Sequence, residues 1–284
     1  MEKMERRIFI QKVNNLPTLP TIIQKIIEIT ESPNGNASTL GKVLSKDPSI
    51  SSIILRLVNS AFYGKVRNIS SINHATVILG FAMVKTIAMG VSVFQSNSGT
   101  SSFDRQRFWI HSLGVASLAK TLSKKVNMPK HIDSDTVFLS GLLHDLGKVI
   151  FDNYFNEEYT EVVALVKKEN VWIGEAERRV LGMDHAEAGY HLARKWQFPG
   201  PVVEAIQFHH NITGATEQNR LLCAVIQAAD YGCRKIQLGS GGDMAEIERD
   251  PIAVANYGMT DELLEPALEE LDQHRGDFEA FVTG

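Results

Sequence analysis

The chain has 284 residues, a formal net charge of −4 and a hydrophobic fraction of 44%. That size suits one large domain or two modest ones, and the apolar content is that of a folded chain, not a disordered one. Mild acidity argues against general nucleic-acid binding, and no apolar run approaches the roughly 18 residues of a membrane helix.

The opening residues, MEKMERRIFIQKVNN, carry basic side chains but too short an apolar stretch for a signal peptide, so a cytoplasmic location is expected. LPTLPTIIQKIIEITES places Ile22, Ile23, Ile26 and Ile27 at helical spacing, with Pro20 near the start. KDPSISSIILRLVNSAFYG offers Asp47 as an N-cap, Pro48 at the first helical position and Gly64 as the stop. SINHATVILG reads as a short helix closed by Gly80, and FAMVKTIAMGVSVFQ as another. The polar run SNSGTSS, Ser96 to Ser102, has the composition of a connection. A second helical region follows from about Phe103 to Ile236, then a second loop, LGSGGD, Leu238 to Asp243. The tail DELLEPALEELDQHRGDFEAFV is acidic and helical, with an interruption expected at Pro266. Cys223 and Cys233 share one predicted helix, where about 15 Å of rise separates them. That is too far for a disulfide, so two reduced thiols are expected. Strand signals are scarce. The expectation is an all-α fold of two helical lobes, residues 1–97 packed on residues 103–236, with a helical tail at 237–284.

Several polar residues fall on apolar faces. Phe108, His111, Val115, Leu118 and Leu122 share one stripe, which turns His111 inward. His144 and Asp145 sit inside the apolar run VFLSGLLHDLGKVIF, and Lys148, i+4 and i+3 from them, can lean over the same spot. An Asp145–Lys148 ion pair is the plain alternative, but it leaves His144 unexplained. GMDHAEAGYHLARKW opens a helix with Asp184 as cap and Glu187 three residues later, which puts His185 in the first turn and His191 on another face. Val202, Ile206 and His209 lie at i, i+4 and i+7, with His210 beside Val203 and Ile206. Asp230 shares a face with Cys223 and Ile226 on an almost wholly apolar helix, where a lone carboxylate needs a cation or several donors.

One arrangement explains all of these residues together: a metal site built from His111, His144, Asp145, His185, His209, His210 and Asp230. Imidazole and carboxylate suit iron, manganese, zinc, nickel or cobalt. Seven ligands exceed the needs of one tetrahedral or octahedral ion. Two divalent or transition-metal ions bridged by Asp145 would use them, with iron the first expectation.

The spacing of His111, then His144-Asp145, then Asp230 resembles the H…HD…D signature of the HD superfamily of metal-dependent phosphohydrolases. GLLHDLGK, His185 and the His209-His210 pair are similar to the HD-GYP branch of cyclic-di-GMP phosphodiesterases, although NITGAT, without a GYP motif, follows His210. LPTLP, DPSISSIILRLVNSAFYG, SINHATVILG, FWIHSLGVASLAKTL and ARKWQFPGPVVEAIQFHH resemble the HDOD family of bacterial HD-related output domains over roughly residues 14 to 235. By the HD-GYP resemblance, His111, His144, Asp145 and Asp230 hold one ion and Asp145, His185, His209 and His210 the other, while Lys148 meets substrate phosphate. By the HDOD resemblance the chain is a signalling or regulatory module whose partner is a signalling protein or a nucleotide ligand. The alternative is an active phosphodiesterase on a nucleotide or cyclic dinucleotide, with Asp145 and Lys148 as its catalytic residues. Other HD proteins perform dioxygen chemistry at a di-iron pair, which nothing in this sequence selects.

Overall fold

The structure, a computed structural model, describes residues 21–32, 35–59, 69–81, 84–85, 87–88, 101–242 and 249–283. Among them every regular element is a helix or a short 3-10 turn, as an all-α fold requires. The chain divides into two compact units, one spanning residues 17–98 with 274–284, the other holding residues 99–273. The predicted tail is therefore shared, its first part with the histidine-bearing unit and its last eleven residues with the other.

The smaller unit contains α1 (Thr21–Glu31), α2 (Ala37–Leu44), α3 (Pro48–Asn59) and α4 (Ile72–Leu79). Local chemistry sets their starts: the side chains of Asn36, Asp47 and Ser71 accept from the backbone N–H groups of Thr39, Ile50 and His74. Gly80, at φ 86°, ends α4. Ile26, Leu40, Leu44, Ile54 and Ala75 form its buried core. Of the helix expected at 81–95, positions 81, 84–85 and 87–88 are described and helical. The LPTLP stretch, the stop expected at Gly64 and most of SNSGTSS lie outside the described residues.

The larger unit contains α5 (Arg105–Ser123), α6 (Ser134–Leu143), α7 (Leu146–Tyr154), α8 (Asn156–Glu169), α9 (Ile173–Leu181), α10 (His185–Lys195), α11 (Gly200–Phe208), α12 (Arg220–Lys235), α13 (Pro251–Tyr257) and α14 (Asp261–Gln273). The last helix, α15 (Arg275–Thr283), packs on α3 of the smaller unit. Helix α5 is the axis of the larger unit and touches α6, α12 and α14. Its residues 108–119 are buried without a gap, so it has no solvent face in that stretch. Helix α6 also meets α11, and α10 lies against both α7 and α11.

Two local expectations are corrected. His144 and Asp145 do not lie within one helix. Helix α6 ends at Leu143, α7 begins at Leu146, and Asp145 adopts φ −94°, ψ 20° between them. The tail helix is not interrupted at Pro266 either: α14 runs through it to Gln273. Proline there removes one backbone donor in the second turn, while Leu264, Ala267, Leu268 and Leu271 remain buried and hold the helix to its neighbours.

Candidate metal centre

Four helices and one helix junction bring the seven expected ligand side chains together. His111 comes from α5, His144 and Asp145 from the α6–α7 junction, His185 from the first turn of α10, His209 and His210 from just past α11, and Asp230 from α12. Each placement has a local cause. Residues 137 to 152 are all buried, so the junction between α6 and α7 can point only into the protein. Asp184 caps α10 by accepting from Glu187 N at 2.9 Å, which fixes His185 at the helix start. Gly147 lets α7 meet that start: a Cβ there would lie 1.9 Å from His185 O. His144 Nδ1 is 2.8 Å from Gly141 O, and His209 Nδ1 is 2.9 Å from Ile206 O. With Nδ1–H donating to those carbonyls, each ring presents Nε2 to the cluster.

The ligand atoms form two adjoining groups, His111 with His144 and Asp230, and Asp145 with His185, His209 and His210. Asp145 reaches both. Its Oδ2 lies 3.4 Å from His144 Nε2, and its Oδ1 lies 3.3 Å from His185 Nε2 and 3.8 Å from His209 Nε2. In the other group, His111 Nε2 is 3.0 Å and His144 Nε2 3.8 Å from Asp230 Oδ1. His185 Nε2 and His210 Nε2 are 3.0 Å apart. Two atoms each about 2.1 Å from a shared ion would stand about 3–3.5 Å apart, so these spacings fit the edges of coordination polyhedra.

The donor set fits cations in a second way. Among the described residues, His144 Nε2, Asp145 Oδ1 and His209 Nε2 are buried and make no hydrogen bond. Orphaned atoms of this kind are rare in native interiors, and here they converge. Burial would raise Asp145, but Lys148, with Nζ 2.7 Å from Oδ2, and His144 hold its carboxyl well below the usual carboxylate range. Burial likewise opposes charge on Asp230, yet His111 and Arg234 hold it well below that range. Burial depresses His111, and it depresses His185 and His210 well below the ordinary imidazole value, the last two helped by Lys148 and His209 respectively. His144 moves the other way: burial lowers it, but Asp145 and Asp230 raise it further. Ionised carboxylates beside mostly neutral imidazoles are the protonation states a metal ion requires.

One further residue contacting the cluster, Glu177, was not among the expected ligands. Glu177, fully buried on α9, has Oε2 2.6 Å from His185 Nδ1 and 2.8 Å from His185 N. Its Oε1 accepts from Tyr159 Oη at 3.2 Å. The signal was present: Ile173, Glu177 and Leu181 stand at i, i+4 and i+8, all buried, which puts a carboxylate on a core stripe. Trp172 flanks the same end of the cluster, its ring centroid 5.0 Å from that of His210, with the Arg178 guanidinium 5.0 Å over it. His191 lies apart from the cluster, 3.9 Å from Glu187.

The HDOD domain matches residues 16–212 of the sequence, more than half of its length. The chain belongs to the HDOD family. An HDOD domain protein of unknown function from Geobacter sulfurreducens is 27% identical, with a TM-score of 0.76 over 98% of this chain and 96% of that one. Two further structures share the HDOD fold at lower identity. One, from Shewanella amazonensis, is described as a candidate phosphohydrolase (23% identity, TM-score 0.73, 96% of each chain). The other, from Marinobacter aquaeolei, is described as a candidate signal transduction protein (20% identity, TM-score 0.72, 100% of this chain and 66% of that one). An uncharacterized protein of Treponema pallidum is 26% identical over 223 residues, 78% of this chain. The HDOD chain spans 43% of that relative's length. Among the described residues no helix is long and apolar enough to cross a membrane.

Proposed function

We propose that this chain is a signalling or regulatory HDOD protein that carries two metal ions at the His/Asp cluster. The observation that carries the reading is the position of Asp145, whose two oxygens face different ligand groups, Oδ2 toward His144 and Oδ1 toward His185 and His209. His111, His144, Asp145 and Asp230 would hold one ion, and Asp145, His185, His209 and His210 the other. The donor set is consistent with iron, manganese, zinc, nickel or cobalt. The partner is a signalling protein or a nucleotide ligand.

Elemental analysis of tag-free protein purified without chelator tests this, beside Asp145→Ala. About two ions per chain, lost in the variant, is the expected result. A folded wild-type chain with no bound metal would overturn the reading.

Lys148 favours a second reading, a metal-dependent phosphohydrolase. Bound ions would supply Lewis acidity to a phosphoester. The protein's own share is then positional. Lys148 Nζ, buried 2.7 Å from Asp145 Oδ2, is placed to balance charge developing on phosphoryl oxygens. Glu177 fixes the His185 ring, and the buried residues around the cluster exclude bulk water. Hydrolysis of a phosphodiester by the metal-loaded protein, abolished in Lys148→Met with metal content kept, is the outcome this reading requires.

A further inference from the structure

The glycine-rich stretch Leu238–Gly242 crosses the cluster. Its upstream end is fixed: Leu238 is buried, and its N–H donates to Cys233 O at 2.9 Å. Ser240 N then donates to Arg107 O at 2.9 Å, and Arg107 Nη2 donates to Gly239 O at 3.2 Å, which lays the stretch along the start of α5. Gly239, at φ 72°, can lie there only because it lacks a side chain, since a Cβ would stand 2.3 Å from both Arg107 O and His111 N. Two residues on, a Cβ at Gly241 would lie 3.3 Å from His111 Nε2 and 3.4 Å from both Asp145 Oδ2 and Lys148 Nζ. Gly241 is itself buried. At Gly242 a Cβ would lie 3.2 Å from Ile173 Cδ1 at the start of α9. Main chain therefore runs from α5 to α9 past His111 Nε2, Asp145 Oδ2 and Lys148 Nζ.

We propose that Leu238–Gly242 is a movable strap over the candidate metal centre, hinged at Leu238, and that it must lift before a phosphoester or any ligand larger than a small inorganic ion reaches Asp145 and Lys148. Among the described residues, few bonds hold its far half. Beyond Ser240 the hydrogen bond seen is one within the strap, from Gly242 N to Ser240 Oγ at 3.2 Å. A segment held by backbone contacts at one end and by glycine packing at the other opens at lower cost than the helices beneath it. The strap rests on the reading of the cluster as a metal centre for the identity of what it covers, and on geometry alone for the fact that it covers His111.

The test uses both aspects. The full chain, stripped with chelator, is treated with diethyl pyrocarbonate, and modification of His111 is followed by mass spectrometry against the exposed His131. Gly239→Val cannot seat the strap. Arg107→Ala removes an exposed side chain and one strap bond, so it keeps the fold if the valine variant loses it. His111 should react about tenfold faster, relative to His131, in whichever variants melt like the wild type, as a more readily opened segment would allow. Unchanged His111 reactivity in a folded variant overturns the strap. In parallel, release of bound metal to EDTA is timed in the wild type and variants loaded with the metal they retain. Faster release with unchanged metal content supports the strap, and equal release rates count against it. If the wild type holds no metal, the metal-centre reading fails, while the His111 labelling still decides whether the strap opens.

Discussion

Glu177 Oε2 and His185 Nδ1 are 2.6 Å apart between two fully buried side chains, with His185 Nε2 turned toward Asp145. A carboxyl group behind an imidazole fixes the ring and its tautomer and leaves the lone pair of the far nitrogen for a metal ion. Burial drives Glu177 well above its ordinary range and His185 well below, so each is pushed toward its neutral form. Glu177→Ala is expected to weaken metal binding by about 10- to 100-fold. It also leaves Tyr159 Oη and the His185 donors without their partner, which costs about 1–3 kcal/mol. Glu177→Gln keeps an acceptor and should recover most of the stability. Competition titration with a coloured chelator, paired with thermal melts, separates the two effects. Metal affinity unchanged in Glu177→Ala would mean that the contact is structural.

Asp145 and Lys148 give a sharper dissection. Both are buried, and their ion pair is 2.7 Å long. Asp145→Ala takes the carboxylate at 2.7 Å from a buried ammonium as well as removing the proposed shared ligand, so a loss of about 3–5 kcal/mol is expected. Asp145→Ala combined with Lys148→Met removes that ammonium too and should regain much of that stability. It should not regain metal. Urea unfolding with elemental analysis on both proteins checks this, and a double variant that rebinds two ions would exclude Asp145 as the bridge.

The helices and the convergence of the polar residues were legible because both leave periodic marks. An imidazole on a stripe with Phe108 and Leu122 points where the stripe points, and Asp184 with Glu187 fixes a helix start by local hydrogen bonding. Stripe reasoning has a limit on α5, where Phe108 to Ala119 are all buried and no face is distinguished. The break at His144-Asp145 was not legible, since GLLHDLGKV carries no proline and its one interior glycine, Gly147, follows the break. That break comes from tertiary contact, with Gly147 pressed against the backbone of His185. Glu177 was legible in principle, since it shares a buried stripe with Ile173 and Leu181, but a lone glutamate among the charged residues of α9 carries no ligand spacing of its own. The reach of Leu238–Gly242 over the cluster depends on contacts more than a hundred residues apart, between Gly239 and Arg107, which no local pattern encodes.

Glu177→Gln, stripped of metal, should be less stable in mild acid. His111, His185 and His210 are depressed in the folded state, whereas His144 is raised. A depressed histidine is protonated more readily when unfolded, so stability is lost as pH falls below the unfolded value of about 6.5. His144 works in the opposite sense, and its raised value adds stability as pH falls. Glu177, raised well above its ordinary range, works in the same sense as His144, so the glutamine variant removes it and leaves three groups against one, a net loss. Urea midpoints of the metal-free glutamine variant at pH 7.5 and 5.5 measure it, and an equal or higher midpoint at pH 5.5 would contradict the burial of these rings in their neutral form.

Asp152 provides a control outside the cluster. It is buried at the end of α7 and gathers the segment that leads into α5: Ser101 Oγ at 2.8 Å, Ser102 N at 2.7 Å, and Arg105 Nε and Nη2 at 2.9 and 2.6 Å. Asn156 Nδ2 adds a further bond at 3.3 Å. Asp152→Ala removes an acceptor these donors share, while Arg105 Nη2 keeps Asn153 Oδ1 and Ser101 Oγ keeps Phe103 O, so a loss of about 1–3 kcal/mol is expected. None of its partners is a candidate ligand. The variant should therefore unfold at lower urea while binding as much metal per folded chain as the wild type. A parallel loss of metal would mean that the seat of α5, and with it His111, depends on Asp152, so that the centre is held by the packing of its helices as much as by its own ligands.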